Sequence, residues 1–471
     1  MAISVHVALA SGRSTTLEAT EAMQVRELRA MAEERFKVGI RSLVTSKGAA
    51  LLGYVCLSAA GVQHGETLTA TVRSACLVKG SAALGVIRGD GSVVTWGESC
   101  DGGNSAAVQD QLKDVRQVVG NSSAFAAICG DGDVVAWGRK SEAGDCSAVQ
   151  DQLQGVRKIV AANSAFAAIR RDGRVVTWGA PECGGDSSAV QGRLVDVADV
   201  VATNFAFAAI RTDGSVVTWG RPENGGECEP KHAKQLHDVQ RIGSTALAFA
   251  AIRGDRSVVT WGKPEGGGDC SGVHGLKDVM QVYGADAAFA ALLANGRVVT
   301  WGNAEKGGDS SSAQDELHDV QHIAACCESF AAIRADGRVV TWGNASRGGD
   351  SNRVQDQLRD IVEIDSTLYE FVALRADGAV VVWGEKADRY PVPERLREVC
   401  QVVASSSAFA ALQADGSVVT WGLGPLGGDS SRVSEQLRDV RMLPEEPPIG
   451  DGVPDDIHQQ LKRKAADVDV A

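Results

Sequence analysis

The 471-residue chain predicts a mainly β fold built from one repeated unit, with a small α+β domain ahead of it. Three observations carry this. A 14-residue stretch, Phe166 to Gly179, reads FAAIRRDGRVVTWG and recurs nine times with small edits. All nine tryptophans close a copy: Trp96, Trp137, Trp178, Trp219, Trp261, Trp301, Trp342, Trp383 and Trp421, spaced by 41, 41, 41, 42, 40, 41, 41 and 38 residues. A phenylalanine stands twelve residues ahead of eight of them, from Phe125 to Phe409, with Leu84 in the first copy. Such register marks one supersecondary unit stacked many times.

In chain order, residues 1–73 share none of this pattern. Ile3-Ser4-Val5-His6-Val7 alternates as a strand, Ala10 to Arg13 turns, and Ser14 to Ala19 returns. Val25, Leu28, Ala32 and Phe36 recur at helical spacing, and Leu43-Val44 and Leu68 to Val72 supply further strands. A short joint, residues 74–80, leads into the repeats. In each unit two apolar runs, FAAI and VVTW, flank a tight turn. The turn is Asp-Gly in seven copies and Asn295-Gly296 in the sixth, pairs that tolerate positive φ. The fifth has Asp255-Arg256, which predicts a strained or different turn. A third apolar run lies upstream, as in Ile159-Val160. Three or four antiparallel strands in about 41 residues match one blade of a β-propeller. Ala-Ala after the phenylalanine suits an inner strand crowded near the axis. The tryptophan is expected to pack between blades. The eighth unit departs, with Tyr390-Pro391-Val392-Pro393 in place of the usual link.

Nine copies exceed the four to eight blades typical of propellers. A closed ring of about nine blades is favoured, with an open spiral as the alternative. Val440 to Leu443 and Leu77-Val78 compete to complete the first blade. Residues 444–471 are rich in proline, acid and glycine and predict a disordered acidic tail. Lys462-Arg463-Lys464 within it is a short basic cluster of the kind read in nuclear import.

Residues 1–73 resemble the ubiquitin-like β-grasp family through SGRSTTLEAT, Leu43-Val44 followed by Gly48 and a leucine pair, and AGVQHGETLTATVR. The resemblance implies a partner patch on Ala10, Val44 and Thr71, of which only Val44 keeps the family's apolar character. The last strand runs into Arg73-Ser74-Ala75 rather than Gly-Gly, so the domain is not a conjugatable modifier. Residues 74–443 resemble the regulator-of-chromosome-condensation repeats. The carrying residues are the Trp-Gly strand end, the Asp-Gly turn and the later glycine pair, as in Gly307-Gly308. The family's Gly-Gln-Leu-Gly element is Gly-Gly-Asp-Ser here. Members of that family include exchange factors for small GTPases, and no exchange loop carries over residue by residue.

Net charge is −13, divided as +2 over residues 1–73, −4 over 444–471 and −11 between. An acidic ring disfavours nucleic acid, which needs clustered Lys and Arg, and favours basic partners. Eleven cysteines, no secretory signal at the start and no long apolar span point to a reducing compartment, cytoplasm or nucleus, and away from a membrane. Cys146, Cys228 and Cys270 take a position that is serine in other copies, so they are small fillers. No CxxC pair suggests zinc.

The sharpest candidate surface lies eight residues past each tryptophan: Asp145, Asp186, Asp269, Asp309, Asp350 and Asp429, with Asn104 and Glu227 in related copies. These side chains form either a crown of carboxylates for a basic peptide, or local caps with capping-box spacing such as Ser147…Gln150. His318 and His322 have i, i+4 spacing, which seats a metal on a helix, but they sit in the approach to a strand and read as exposed polar residues. The strand taken as nearest the axis is Ala, Phe and Ile, which argues against an axial enzyme site. No catalytic, cofactor or metal residues are assigned. The expectation is a monomeric, non-enzymatic scaffold or adaptor for protein partners, linked to the ubiquitin system. The alternative is a guanine-nucleotide exchange factor for a small GTPase.

Overall fold

A computed structural model describes residues 2–9, 12–36, 40–46, 48, 51, 56–72, 74–130 and 132–440. Ala10, residues 441–443 of the closing run and the 444–471 tail lie outside them. The N-terminal part is a β-grasp unit: β1 (Ala2–Leu9), β2 (Ser14–Thr20), α1 (Val25–Phe36), β3 (Ile40–Val44) and β4 (Thr67–Val72). The sheet order is β2-β1-β4-β3, with β1 and β4 parallel. Alternation drives this fold. Ile3, Val5, Val7 and Leu9 point to one side and bury against Leu28, Ala32 and Phe36 of α1. Arg29 on α1 pairs with Asp114 of the repeat region.

Nine three-stranded antiparallel sheets follow, one per tryptophan. Blade 3 is typical, with strands Val156–Ala161, Ala165–Arg170 and Val175–Gly179. The Asp-Gly turn brings Phe166 opposite Trp178. Their rings lie 5.2 Å apart, and the eight Phe–Trp pairs span 5.0–5.5 Å. Each such contact adds about 0.5–1.5 kcal/mol beyond area burial. In blade 5 the turn keeps the common shape: Arg253 N–H donates to the Ser257 carbonyl, and Arg256 takes the glycine's place at φ 62°. The expected strain is therefore present, and the change of turn type is not.

One expectation is corrected. The Ala-Ala strand is the middle strand of each blade. It is the first strand that touches its equivalents in the neighbouring blades and so lies nearest the axis. The alanines are small because they sit between two packed blades. Ala124, Ala126 and Ile128 of blade 2 meet Phe166, Ala168 and Trp178 of blade 3 in one core. The tryptophan thus packs between blades, as the sequence implies.

The ring is closed. The loop between first and second strands sends one backbone hydrogen bond to the next blade. Ser81 N–H donates to the Asn121 carbonyl, then Ser122 to Asn163, Asn163 to Asn204, Asn204 to Ala246 and Ala246 to Asp286. The series continues from Asp286 to Cys327, Cys327 to Leu368, Leu368 to Ser406 and Ser406 back to Ser81, all at 2.9–3.2 Å. Both ends of the repeat region meet at blade 1. Cys76–Lys79 forms its inner strand. Val440, fully buried beside Leu77 and Trp96, donates to the Gly416 carbonyl and accepts from Gly89 N–H. The two competing segments therefore share the seam.

A second circuit straps the blades from outside. Each indole N–H reaches a carbonyl six residues past the previous tryptophan: Trp137 to Gly102, Trp178 to Ala143, and Trp96 across the seam to Gly427, all at 3.0–3.1 Å. That carbonyl belongs to a turn where Gly184, at φ 85°, leaves no room for a side chain; a Cβ there would lie 2.7 Å from the Phe207 ring. Trp421 is the exception: its buried nitrogen has no partner among the described residues. The unit before it is the one that lost the glycine turn to the Tyr390–Pro393 segment.

This asymmetry gives a prediction. Trp178→Phe leaves the Ala143 carbonyl unpaired in a buried seam, at about 1–3 kcal/mol. Trp421→Phe breaks no such bond. Chemical denaturation is expected to show Trp178→Phe less stable than Trp421→Phe by at least about 1 kcal/mol; equal losses contradict the strap.

Candidate functional surfaces

The six predicted carboxylates sit exposed on one rim, each opening a short turn, which is a 3-10 turn in every case but Asp269. Asp145 Oδ1 accepts from Ser147 N–H at 2.9 Å, and Asp186, Asp269, Asp309, Asp350 and Asp429 accept from the residue two positions on in the same way. Those amides, then the neighbouring serine hydroxyls, hold Asp145, Asp186, Asp269, Asp309 and Asp429 below the usual carboxylate range. The carboxylate thus bonds a nearby backbone N–H, as the local-cap reading expects, while the Ser…Gln capping box does not form. The glutamine goes elsewhere. Gln150 Nε2 donates to the Val134 carbonyl on the outer strand of the blade, 3.1 Å away. Gln109, Gln191, Gln314 and Gln355 do the same to Val93, Val175, Val298 and Val339. Five of the nine blades thus have a side chain covering the outermost strand edge, where free backbone groups invite pairing with other chains.

The serine of this segment also has a task. Ser187 Oγ lies 2.9 Å from Thr177 Oγ1 and 2.9 Å from Gln191 Oε1. Cys146 fills the same buried place in its copy, in line with a filler role. All eleven cysteines are unpaired thiols.

On the N-terminal sheet, Val44 is half-buried and Thr71 exposed. Val44 pairs with Thr69, two residues from Thr71 on the adjoining strand, so the two sit diagonally on one face. His318 and His322 are not on a helix. His318 lies in the approach to the strand Val320–Ala325 and bonds Asp319. His322 stands on that strand, its ring edge-on to Tyr283 at 5.4 Å, and burial lowers its pKa. They are not brought together as ligands, and no group of three or more His, Cys, Asp or Glu suited to a metal occurs among the described residues.

Sequence reasoning missed a polar belt on the axis-lining strands. The third residue of each inner strand, from blade 2 to blade 9, is Gln117, Lys158, Asp199, Arg241, Gln281, His322, Glu363 and Gln401. Several of these tie neighbouring blades together. Lys158 Nζ sits 2.6 Å from Asp199 Oδ1. Gln401 Oε1 accepts from Leu77 N–H at 2.8 Å across the seam. Asp365, two residues beyond Glu363, pairs with Lys79 of blade 1 and accepts from Ala404 N–H of blade 9 at 3.0 Å. Burial, then the Asp365 charge, pushes the Glu363 carboxyl up to about 7. The signal was present. A polar residue, often charged, at one fixed place in eight of the nine units marks a strand face that meets water. Beside the belt lies a hollow of about 270 Å³ near Arg241 and Gln281, where Gly243 stands on the inner strand of blade 5.

No protein-family model and no curated protein matches the chain. Among solved structures, the ectodomain of the receptor kinase CR4 from Physcomitrella patens is similar at 14% identity and TM-score 0.37, covering 57% of this chain and 74% of that one. Prp20p from Saccharomyces cerevisiae, described with its binding to Gsp1p and histones, is similar at 13% identity and TM-score 0.34, covering 80% and 94%. The ubiquitin of Caldiarchaeum subterraneum is similar to a 16% portion of this chain, at 22% identity and TM-score 0.15. Likeness at this level carries no argument for function, and the fold rests on the strands and bonds above.

The belt yields a pH prediction. In the folded chain Glu363 holds its proton up to about pH 7; the unfolded chain releases it near the ordinary glutamate value of 4.5. A raised carboxyl contributes stability that is full below the unfolded pKa and lost as pH rises through the folded one. Glu363→Gln removes that loss. Its melting midpoint is expected to exceed wild type at about pH 8, with the gap narrowing towards about pH 5. A gap independent of pH contradicts the assignment.

Proposed function

We propose that the chain is a non-enzymatic protein-interaction scaffold. The ring is the binding platform, and the N-terminal β-grasp unit is a ubiquitin-like module that recruits a second partner. The observation that supports this most is the closed ring itself. Nine near-equivalent blades give a long rim of repeated, solvent-facing groups, while several polar side chains on the axis are tied to groups of neighbouring blades. A site for chemistry needs convergent, unpaired groups in a cleft. The division we infer is a module over 1–73, a ring over 74–443 and a tail over 444–471. The monomer acts in the cytoplasm or nucleus, where the eleven thiols stay reduced.

The face carrying Val44 and Thr71 is the proposed contact for ubiquitin-system proteins. The exchange-factor reading gains no specific observation. The tryptophan period stays between 38 and 42 residues, which leaves little room for an inserted exchange loop.

Affinity capture by the full chain and by Val44→Asp, read by mass spectrometry, tests the proposal. Ubiquitin-handling proteins are expected with the wild type and lost with Val44→Asp, while ring partners persist in both. Capture of a small GTPase that excess nucleotide releases overturns the scaffold reading in favour of exchange.

A further inference from the structure

The glutamine that covers the outer strand edge in five blades is missing in the other four, and blade 4 is the one of these with a hollow along its edge. The residue thirteen past Trp219 is His232 rather than glutamine, and the link to the next blade is one residue longer, giving the 42-residue spacing. That link folds into a short helical turn, α2 (Pro230–Ala233). Its nearest glutamine, Gln235, is exposed and donates instead to the Lys231 carbonyl of the same turn at 3.1 Å. The outer strand Val216–Gly220 therefore lacks the cover that Gln191 gives Val175 in blade 3. The two strands share one register: Val216 opposes Ile210 as Val175 opposes Ile169. The backbone of Val216, and of Thr218 two residues on, thus faces outward, as the carbonyl of Val175 does.

A hollow of about 760 Å³ runs along this edge. That volume lies within the range of ~300–1,000 Å³ found for ligand sites. Val216 and Thr218 form its floor, and Val190 and Leu236 line its walls. Asp186 and Glu227 stand on it as exposed carboxylates, against the single guanidinium of Arg193.

We propose that this edge is a docking groove for an extended peptide segment of a partner protein. The segment adds a strand to blade 4 through the outward backbone groups of Val216 and Thr218 and places a basic side chain between Asp186 and Glu227. Strand addition supplies main-chain hydrogen bonds as affinity, and alternate side chains supply selectivity. The two acids against one base, in a chain of net charge −13, favour a basic segment. The proposal rests on the scaffold reading and names one of its surfaces.

A random 12-residue phage-display library panned against the full chain tests it, with the enriched peptides measured by calorimetry. Val216→Pro removes an outward N–H from an edge strand, where proline is tolerated. Ala189→Trp fills the groove from its wall without touching the strand, and decides the matter if Val216→Pro fails to fold. Enriched peptides are expected to carry a Lys or Arg, to bind wild type, and to weaken at least tenfold in both folded variants. Peptides that bind Ala189→Trp with unchanged Kd, or a library that yields no binder, overturn the groove. Protein partners captured equally by wild type and Ala189→Trp leave the scaffold reading standing, so the two fail separately.

Discussion

The closed circuit of blade-to-blade backbone hydrogen bonds is the constraint on which the rest of the structure depends. Each bond ties the loop of one blade to the next, and the ninth, from Ser406 to Ser81, returns to the start. A circuit of this kind fixes the blade number. Removing or adding a unit would leave a donor and an acceptor unpaired near the axis, at a cost of about 1–3 kcal/mol each. The indole straps, the Phe–Trp stacks and the alanine-lined seams all require neighbours at the spacing this circuit imposes. Closure also joins the ends of the repeat region, since Leu77 and Val440 bury against the same seam. A repeat array that would otherwise present two raw edges has none.

The departures from periodicity carry the information that distinguishes one blade from another. Blade 8 has Glu370 where other copies have Ala or Ser; this carboxyl is 2% exposed, bonds Thr367, and is raised by burial. The link after it loses the glycine turn, and Trp421 loses its carbonyl. Blade 4 loses its edge glutamine and opens a hollow. An identical ring offers a partner nine equal footholds. Local defects make some of them different, and specificity needs such differences.

The strand content, the turns, the tryptophan seams and the favoured closed ring were legible in the sequence because each depends on a motif within one unit or on the count of units. The identity of the axial strand was not. FAAI looks like the crowded strand because alanine is small, but smallness serves equally between two packed blades, and composition alone does not separate the two. The true axial strand is marked by its third residue, which is polar in every unit from Gln117 to Gln401. The rim carboxylates were legible as a repeated feature, yet their capping bonds run to an amide two residues away, a detail that spacing leaves open between cap and crown. The edge glutamines were visible as VQDQL, but their reach to a carbonyl sixteen residues back becomes apparent only once the outer strand is in place.

Residue-resolved hydrogen exchange of the Ser406 amide tests the closed ring most directly. The equivalent Asn204 amide, which bonds Ala246 in the interior of the array, is the internal reference. A closed nine-blade ring predicts that Ser406 exchanges as slowly as Asn204, through opening of the whole structure. An open spiral leaves Ser406 at a free edge, and exchange there orders of magnitude faster than at Asn204 would contradict the account.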